Sequence, residues 1–238
     1  MSQERHARGG LVSRPALAWT IAAVQILALS QSFVLFALNG IWSAPEIAIP
    51  GVMAFAAVGA LIASQRVPNR LGWLLLLCPV PVAVNVLVIE YADLSVLHHL
   101  SLPLVSLALW IVNWAWTPFV GSFPAILVRF PTGRVPHRWR FVDWLSIGGT
   151  ILLAAGLGIS SGSVSNNVFA AAPIQSAGGA MMLAGLALLA AAMVAAAISL
   201  TERYRRGDQR LRSQLKWILL AAIVVTLTSV YMAAVELA

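Results

Sequence analysis

Long apolar runs separated by short polar stretches dominate the chain. Each run has about 20 residues, and a helix of that length, rising about 1.5 Å per residue, crosses roughly 30 Å of hydrocarbon. The pattern predicts seven transmembrane helices, of which the second is the shortest. We place them near residues 16–38, 47–64, 72–92, 102–128, 141–160, 179–200 and 215–236.

The composition agrees with a membrane protein. Of 238 residues, 60% are hydrophobic and 10% are charged, whereas soluble domains are typically about 45–50% apolar and about 25% charged. We therefore predict an all-α fold, a polytopic integral membrane helical bundle. Residues 1–15 form a tail, and residues 16–238 form a single transmembrane domain. The first apolar run exceeds the roughly 7–15 residues of a signal-peptide core, so we expect it to be retained.

The basic residues are confined to alternate sides of the predicted spans. All fifteen Lys and Arg residues lie in the N-terminal tail or in the stretches after the second, fourth and sixth spans. The opposite side carries Glu46, Glu90, Asp93 and Glu236. Because cytoplasmic loops are enriched in Lys and Arg, this bias predicts a multi-pass membrane protein with its N-terminus in the cytoplasm. The net charge of +7 then reflects topology and attraction to anionic headgroups, and we expect no nucleic-acid partner.

Enzymatic chemistry has little basis in these residues. Lys216, the one lysine, lies at the mouth of the last span, too shallow for a retinal Schiff base. Ser122 and the pair His98 and His99 stand at opposite ends of the fourth span, more than about 30 Å apart, so they cannot form a nucleophile–base pair. Cys78 is the only cysteine, and no phosphate loop or metal motif occurs. We assign no catalytic residue, no cofactor and no metal ligand.

The segment 89–99, "IEYADLSVLHH", is the most polar part of the outer side. Glu90, Asp93, His98 and His99 share what we predict to be one short loop. Imidazoles beside carboxylates can titrate near neutral pH or contact a metal ion, which makes these four residues candidates for sensing a signal. The alternative is a solvated loop with two interfacial histidines.

Aromatic and amide side chains recur at helical spacing in the fourth span. Trp110 and Trp114 stand four residues apart, as do Asn113 and Thr117. These residues are candidates for lining a bundle cavity that takes a hydrophobic ligand, and the alternative is ordinary packing between helices. On the sixth span, small residues recur at four-residue spacing and form a seam, either inside the bundle or at a homodimer face. They are Ala187, Ala191, Ala195 and Ser199.

Three motifs follow one another along the chain. They are "VPNRLGWLLL" at 67–76, "RFPTGRVPHRWR" at 129–140 and "RYRRGDQRLRSQLKWILLAA" at 203–222. In the same order, they resemble the "NPIGWLLL", "FP-D/T-GR-L/V-P…RWR" and "RQQLKW" motifs in the membrane-embedded N-terminal region of bacterial sensor histidine kinases, especially actinobacterial ones.

The resemblance implies a membrane signal-input domain of a two-component histidine kinase, or a truncated relative. A cytoplasmic kinase or effector is then the implied partner, besides the lipid bilayer and a second copy of the chain. The parent enzyme would be a protein histidine kinase. The candidate coupling residues are the arginines of two cytoplasmic stretches: Arg129, Arg134, Arg138, Arg140, Arg205, Arg206, Arg210 and Arg212.

The chain departs from that family in three respects. Thr132 stands where an acidic residue is common, the family often has an eighth span, and no dimerisation helix or ATP-binding domain follows. If the 238 residues are complete, we expect a sensor region without its catalytic half. A different class stays open: a non-catalytic structural or permease-type subunit whose arginines only set topology.

Cysteine labelling in intact cells tests the predicted orientation. In a Cys78→Ser background, we expect His99→Cys to react with a membrane-impermeant maleimide, because it belongs to the outer side. Thr132→Cys should react only after the cells are permeabilised, since 129–140 is predicted to be cytoplasmic. Labelling of Thr132→Cys in sealed cells would contradict the orientation.

Overall fold

The computed structural model describes residues 14–39, 44–65, 70–131, 133–160 and 172–206. These ranges are helical apart from short turns and connections. The helices are α1 (Arg14–Asn39), α2 (Ala44–Gln65), α3 (Arg70–Leu77), α4 (Val80–Leu97), α5 (Val105–Trp114), α6 (Thr117–Arg129), α7 (Phe141–Ser160) and α8 (Ala172–Arg206), with a 3-10 turn at His137–Trp139. By its contacts the chain divides into two compact units, residues 1–196 and 197–238, and α8 supplies residues to both.

Within the described residues, five stretches are long and apolar enough to cross a membrane. They are Pro15–Asn39, Arg70–Leu97, Val105–Arg129, His137–Ser160 and Ser176–Arg205. A shorter apolar helix, Ile49–Gln65, coincides with the span predicted to be the shortest. The predicted seventh span, 215–236, lies outside the described residues. An all-helical, multi-pass architecture is therefore confirmed, and the count of seven stays a prediction.

Two of the predicted spans are interrupted near their middle. The third consists of α3 and α4, which meet at Cys78–Pro79, and the fourth consists of α5 and α6, which meet at Ala115–Trp116. Pro79 caps α4, and Pro118 lies in the first turn of α6. A proline has no N–H to donate, and its ring clashes with the carbonyl four residues earlier. Proline therefore accounts for the division of each span into two helices.

Buried small residues hold neighbouring helices together. One cluster joins α1, α2 and α3 through Ala18, Ala22, Ala60, Ala63 and Leu76. Another joins α6, α7 and α8 through Val128, Val142, Ala192 and Ala196. Because lipid tails are as apolar as leucine, helices in a bilayer associate through close van der Waals packing, which short side chains permit.

A glycine seam joins α7 and α8. Its members recur every seven residues: Gly149 and Gly156 on α7, Gly178 and Gly185 on α8. A Cβ atom added at Gly156 would lie 2.5 Å from the backbone N of Met182, and one at Gly185 would lie 2.5 Å from the backbone N of Leu153. Real Cβ atoms do not approach backbone so closely, so the two helices touch along a line where only glycine fits.

The seam predicted from four-residue spacing is buried only in part. Ala187 and Ala191 are exposed in the single chain, whereas Ala195 packs against the cluster of α6, α7 and α8, and Ser199 is buried. Nearer the start of α8 the buried residues are Gly185, Leu189 and Ala192. The heptad spacing of the glycines, which matches the pitch of two supercoiling helices, selects the buried face.

Adjacent glycines on α7 give a matched test of this seam. A Cβ at Gly149 would lie 2.9 Å from Leu189, whereas at Gly148 the nearest atom is 3.9 Å away. We expect Gly149→Ala to lower the free energy of unfolding by about 1–3 kcal/mol because α8 must move away. Gly148→Ala should be neutral or stabilising by up to about 1 kcal/mol, since alanine favours a helix. Reversible unfolding in bicelles measures both.

A second pair on α8 supplies an independent control. A Cβ at Gly178 would lie 2.5 Å from the Ser160 hydroxyl, and one at Gly179 would meet nothing within 4 Å. Gly178→Ala should therefore lower the free energy of unfolding, as expected for Gly149→Ala. Gly179→Ala should leave it unchanged or raise it slightly, as expected for Gly148→Ala. If the two alanine variants of adjacent glycines changed the free energy of unfolding equally, in both pairs, the glycine seam would be contradicted.

Candidate functional site

The outer-side candidates begin on a helix rather than in a loop. Glu90 and Asp93 lie within α4, which continues to Leu97 because no proline or glycine interrupts residues 82–97. Glu90 is buried, with 3% of its surface exposed. Asn39, at the end of α1, donates from Nδ2 to Glu90 Oε2 at 2.8 Å and to the Glu90 carbonyl at 3.2 Å. This polar contact fastens α1 to α4.

The two histidines face away from that contact. His98 and His99 follow the end of α4 and are exposed, and His99 adopts a left-handed φ of 52°. Within the described residues, no group of three or more His, Cys, Asp and Glu side chains could hold a metal ion. The structure therefore divides the four sensing candidates: Glu90 is buried in the bundle, Asp93 is half-buried on α4, and both histidines are exposed.

The two tryptophans of the predicted cavity line a groove between α5 and α7. Their ring centroids are 5.3 Å apart in an edge-to-face arrangement, and Trp110 Nε1 donates to the Gly158 carbonyl at 2.8 Å. The groove has a volume of about 310 Å³ and is completed by Ala154, Ala155 and Ile159. Trp110 and Trp114 therefore pack against α7 and line an apolar groove beside it, and the binding of a hydrophobic ligand there stays a prediction.

The other two cavity candidates are not part of that groove lining. Asn113 donates from Nδ2 to the Leu109 carbonyl at 2.7 Å, one turn earlier in its own helix. Thr117 is fully buried at the start of α6. Within the part of the chain that the structure describes, Trp114 Nε1 and Thr117 Oγ1 are buried without a hydrogen-bond partner.

An ion pair joins the end of α6 to the start of α7. The Arg129 guanidinium donates from its two terminal nitrogens to the two carboxylate oxygens of Asp143, at 2.6 and 2.8 Å. It also donates to the Ala125 carbonyl at 3.0 Å. The side chains are only 19% and 26% exposed, so water screens the pair weakly. Asp143 also lies in the first turn of α7, where the helix dipole favours a negative charge.

An arginine-bearing loop, described apart from residue 132, lies between these helices. Gly133 has a left-handed φ of 74° and donates its N–H to the Arg129 carbonyl at 2.8 Å, which turns the chain back after α6. A 3-10 turn follows at His137–Trp139. There the Arg138 guanidinium stands 5.5 Å from the Trp139 ring centroid, a cation–π contact.

A polar cavity, here called the arginine chamber, lies beneath this loop. It has a volume of about 480 Å³ and is lined by Arg70, Arg129, Gly133, Arg134, Val135, Arg140 and Asp143. Two of the basic stretches therefore meet at one end of the bundle, since Arg70 begins α3 and the other arginines flank the loop. Arg138, a fourth coupling candidate in the loop, is outside the lining of the chamber.

A second cavity, here called the apolar groove, continues from the chamber between α3, α6 and α7. It measures about 560 Å³ and shares Arg70, Arg129 and Asp143 with the chamber. The rest of its lining is apolar or small: Trp73, Leu74, Leu77, Pro118, Gly121, Ser122, Ala125, Ser146, Ile147, Thr150 and Ile151. A charged chamber that opens into an apolar groove can accommodate an amphipathic molecule.

The second group of coupling candidates lies partly on α8. Arg205 is exposed, and α8 ends at Arg206. Neighbouring Arg203 donates from Nη2 to Ser199 Oγ at 2.8 Å and from Nε to the Ser199 carbonyl at 3.2 Å. Arg210 and Arg212 lie outside the described residues.

Sequence reasoning did not assign Asp143 or Arg70 to the site. Asp143 follows Arg129 by fourteen residues across a loop, a separation from which contact cannot be inferred. The available signal was that Asp143 is the one acidic residue near the basic 129–140 stretch. Arg70 comes from a different basic stretch, and only the packing of α3 against α6 brings it to the same chamber.

Comparison of the chain with protein-family models, with curated proteins and with solved structures finds no match.

A double-mutant cycle tests the ion pair. We expect Arg129→Lys and Asp143→Asn each to lower the free energy of unfolding by about 1–3 kcal/mol, because lysine cannot form two parallel bonds and the amide loses the charge. The double variant should be little worse than either single one, since both remove the same contact. Exposed Arg140→Lys is the control and should be within about 0.5 kcal/mol of wild type. Additive losses in the double variant would contradict a direct pair.

Proposed function

We propose that the chain is a signal-input domain of a bacterial cytoplasmic membrane, of the two-component histidine-kinase type or a truncated relative. In this proposal the N-terminus is inside and the arginine loop faces the cytoplasm. The observation that carries the proposal is the bidentate Arg129–Asp143 pair, which fixes the loop to both α6 and α7. An arginine that only sets topology needs nothing but its positive charge. Arg129 also makes two parallel hydrogen bonds to Asp143, which lysine cannot reproduce.

The relay we propose runs from the outer side to the arginine loop. Outer-side helices are joined by the buried Asn39–Glu90 contact, and the groove beside Trp110 and Trp114 offers an apolar site between α5 and α7. A ligand at either place shifts the equilibrium between two packings of the helices only if it binds one packing more tightly than the other. Because Arg129 and Asp143 clamp α6 to α7, a shift of either helix would move the loop that a cytoplasmic effector contacts.

The separation of charge along the bundle supports the proposed orientation. Arg70, Arg129, Arg134 and Arg140 line one chamber. Glu90 belongs to the opposite end of its span, because α3 begins at Arg70 and α4 ends at Leu97. Such segregation fits cytoplasmic enrichment of Arg.

Charge-preserving substitution in the source cells tests the proposal. The triple variant Arg134→Lys, Arg138→Lys, Arg140→Lys keeps the positive charge, so its membrane level and topology should equal those of wild type. We expect deletion of the gene to abolish phosphorylation of a response regulator. The wild-type chain should restore that phosphorylation, and the triple variant should restore less than about a tenth of it, because geometry-specific partner contacts are lost. Phosphate-affinity electrophoresis of the regulators measures the outcome.

A matched control uses the same chemistry elsewhere. Arg203→Lys makes the same change at one position of α8, outside the 129–140 stretch, and it should restore phosphorylation fully. Full restoration by the triple variant would show that the loop arginines act only through charge. Unchanged regulators in the deletion strain, together with altered solute uptake, would support the structural or permease-type alternative.

A further inference from the structure

The arginine chamber and the apolar groove lie next to each other. Arg70, Arg129 and Asp143 belong to both linings, so the polar space adjoins the apolar space. We propose that the two together bind one anionic phospholipid, with its headgroup phosphate in the chamber and one acyl chain along the groove. This proposal is independent of signalling and stands whether or not the chain is a sensor.

The charge of the chamber selects an anion. Four guanidinium groups line it, and Asp143 is the single carboxylate of the lining. Arg129 engages both oxygens of that carboxylate, so the lining keeps a net excess of positive charge. Guanidinium groups match phosphate oxygens in planar, bidentate geometry. A zwitterionic headgroup carries its own cation into this space, whereas a net anionic headgroup does not.

The groove supplies the place for an acyl chain. Along α7 it runs from Asp143 to Ile151, about 12 Å of helix, against about 15 Å for the hydrocarbon of one leaflet. Leu77, Ile147 and Ile151 line it and are 50%, 52% and 62% exposed in the single chain. These side chains face outward at the depth where lipid tails lie, so a chain can enter sideways from the bilayer.

Small residues line the groove on α6 and α7, and one of them lets the two helices touch along its floor. Gly121 approaches Thr150 so closely that an added Cβ would overlap its hydroxyl. Ala125 and Ser146 line the same space further toward the chamber. Larger side chains here would fill the groove without altering any charge, which gives a second, independent way to disturb the site.

A free phosphate ion or a phosphorylated solute would use only the chamber. Such a ligand leaves unexplained why the anion-binding space continues into about 560 Å³ of apolar groove at membrane depth. A phospholipid uses both parts, and it is the amphipathic anion that a bacterial membrane presents at high local concentration. The lipid is therefore the occupant that the combined lining favours.

Native mass spectrometry of the full chain, released from nanodiscs, tests the proposal. The probes are dioleoyl phosphatidylglycerol and dioleoyl phosphatidylcholine, titrated separately. We expect one phosphatidylglycerol to be retained, with about tenfold higher affinity than phosphatidylcholine. A difference of about tenfold corresponds to one charge-assisted contact that phosphatidylcholine does not make. Arg70→Gln and Arg140→Gln should each weaken phosphatidylglycerol binding about tenfold. Both side chains are exposed, so neither change should prevent folding.

Two controls separate the lipid site from general charge and from anion binding. Arg138→Gln removes the same charge from the same loop outside both cavities, and it should change affinity by less than about twofold. Ala125→Leu should weaken phosphatidylglycerol binding by filling the groove, whereas Ala191→Leu, at an exposed position of α8, should not.

Three results would overturn the proposal. Equal retention of the two lipids would show no selection for charge. Equal losses in Arg70→Gln, Arg140→Gln and Arg138→Gln would show general attraction to the membrane surface. Competition by inorganic phosphate, with Ala125→Leu binding as tightly as wild type, would assign the chamber to a free anion.

Discussion

Close contact between helix backbones is the interaction on which the rest of this bundle depends. Inside a bilayer, apolar side chains gain little by leaving lipid for protein, so helices cohere where small residues let them touch. Gly156 and Gly185 meet the backbone of the opposite helix at distances that exclude any Cβ. The pairing of α7 with α8 fixes where α7 lies, and therefore which side chains of α7 face α6. Both the ion pair and the apolar groove follow from that placement.

Charge has a second, local role at one end of the bundle. The Arg129–Asp143 pair joins the end of α6 to the start of α7, and Gly133 turns the intervening chain back after α6, where two of its arginines line the chamber. The ion pair requires a guanidinium and a carboxylate in bidentate geometry, and the turn requires a residue that can adopt a left-handed φ. Orientation in the membrane, by contrast, needs only the sign of the charges. The same arginines can therefore set topology and build a binding surface.

The two candidate regions away from the arginine loop differ in how well their residues could be predicted. Trp110 and Trp114 line a groove as their four-residue spacing suggested, because a helix keeps such positions on one face. Glu90 instead turns into the bundle toward Asn39, a residue fifty-one positions earlier. Its burial depends on the contact between α1 and α4, and no local pattern carries that information. The loop predicted for residues 89–99 is wrong for a different, local reason: no proline or glycine interrupts 82–97, so α4 continues to Leu97.

The sequence by itself determined the all-helical membrane class, the approximate positions of five membrane-length helices and one shorter apolar helix, and the concentration of arginine in a few stretches. These properties follow from local hydropathy, helix rise and residue type, which act over one or two turns. Tertiary structure decided which glycines meet, which face of α8 is buried, and that Arg70, Arg129 and Asp143 share one cavity. The reason is that these contacts join residues far apart in the chain. Their geometry depends on how the helices cross, and helix crossing is set by packing across the whole interface.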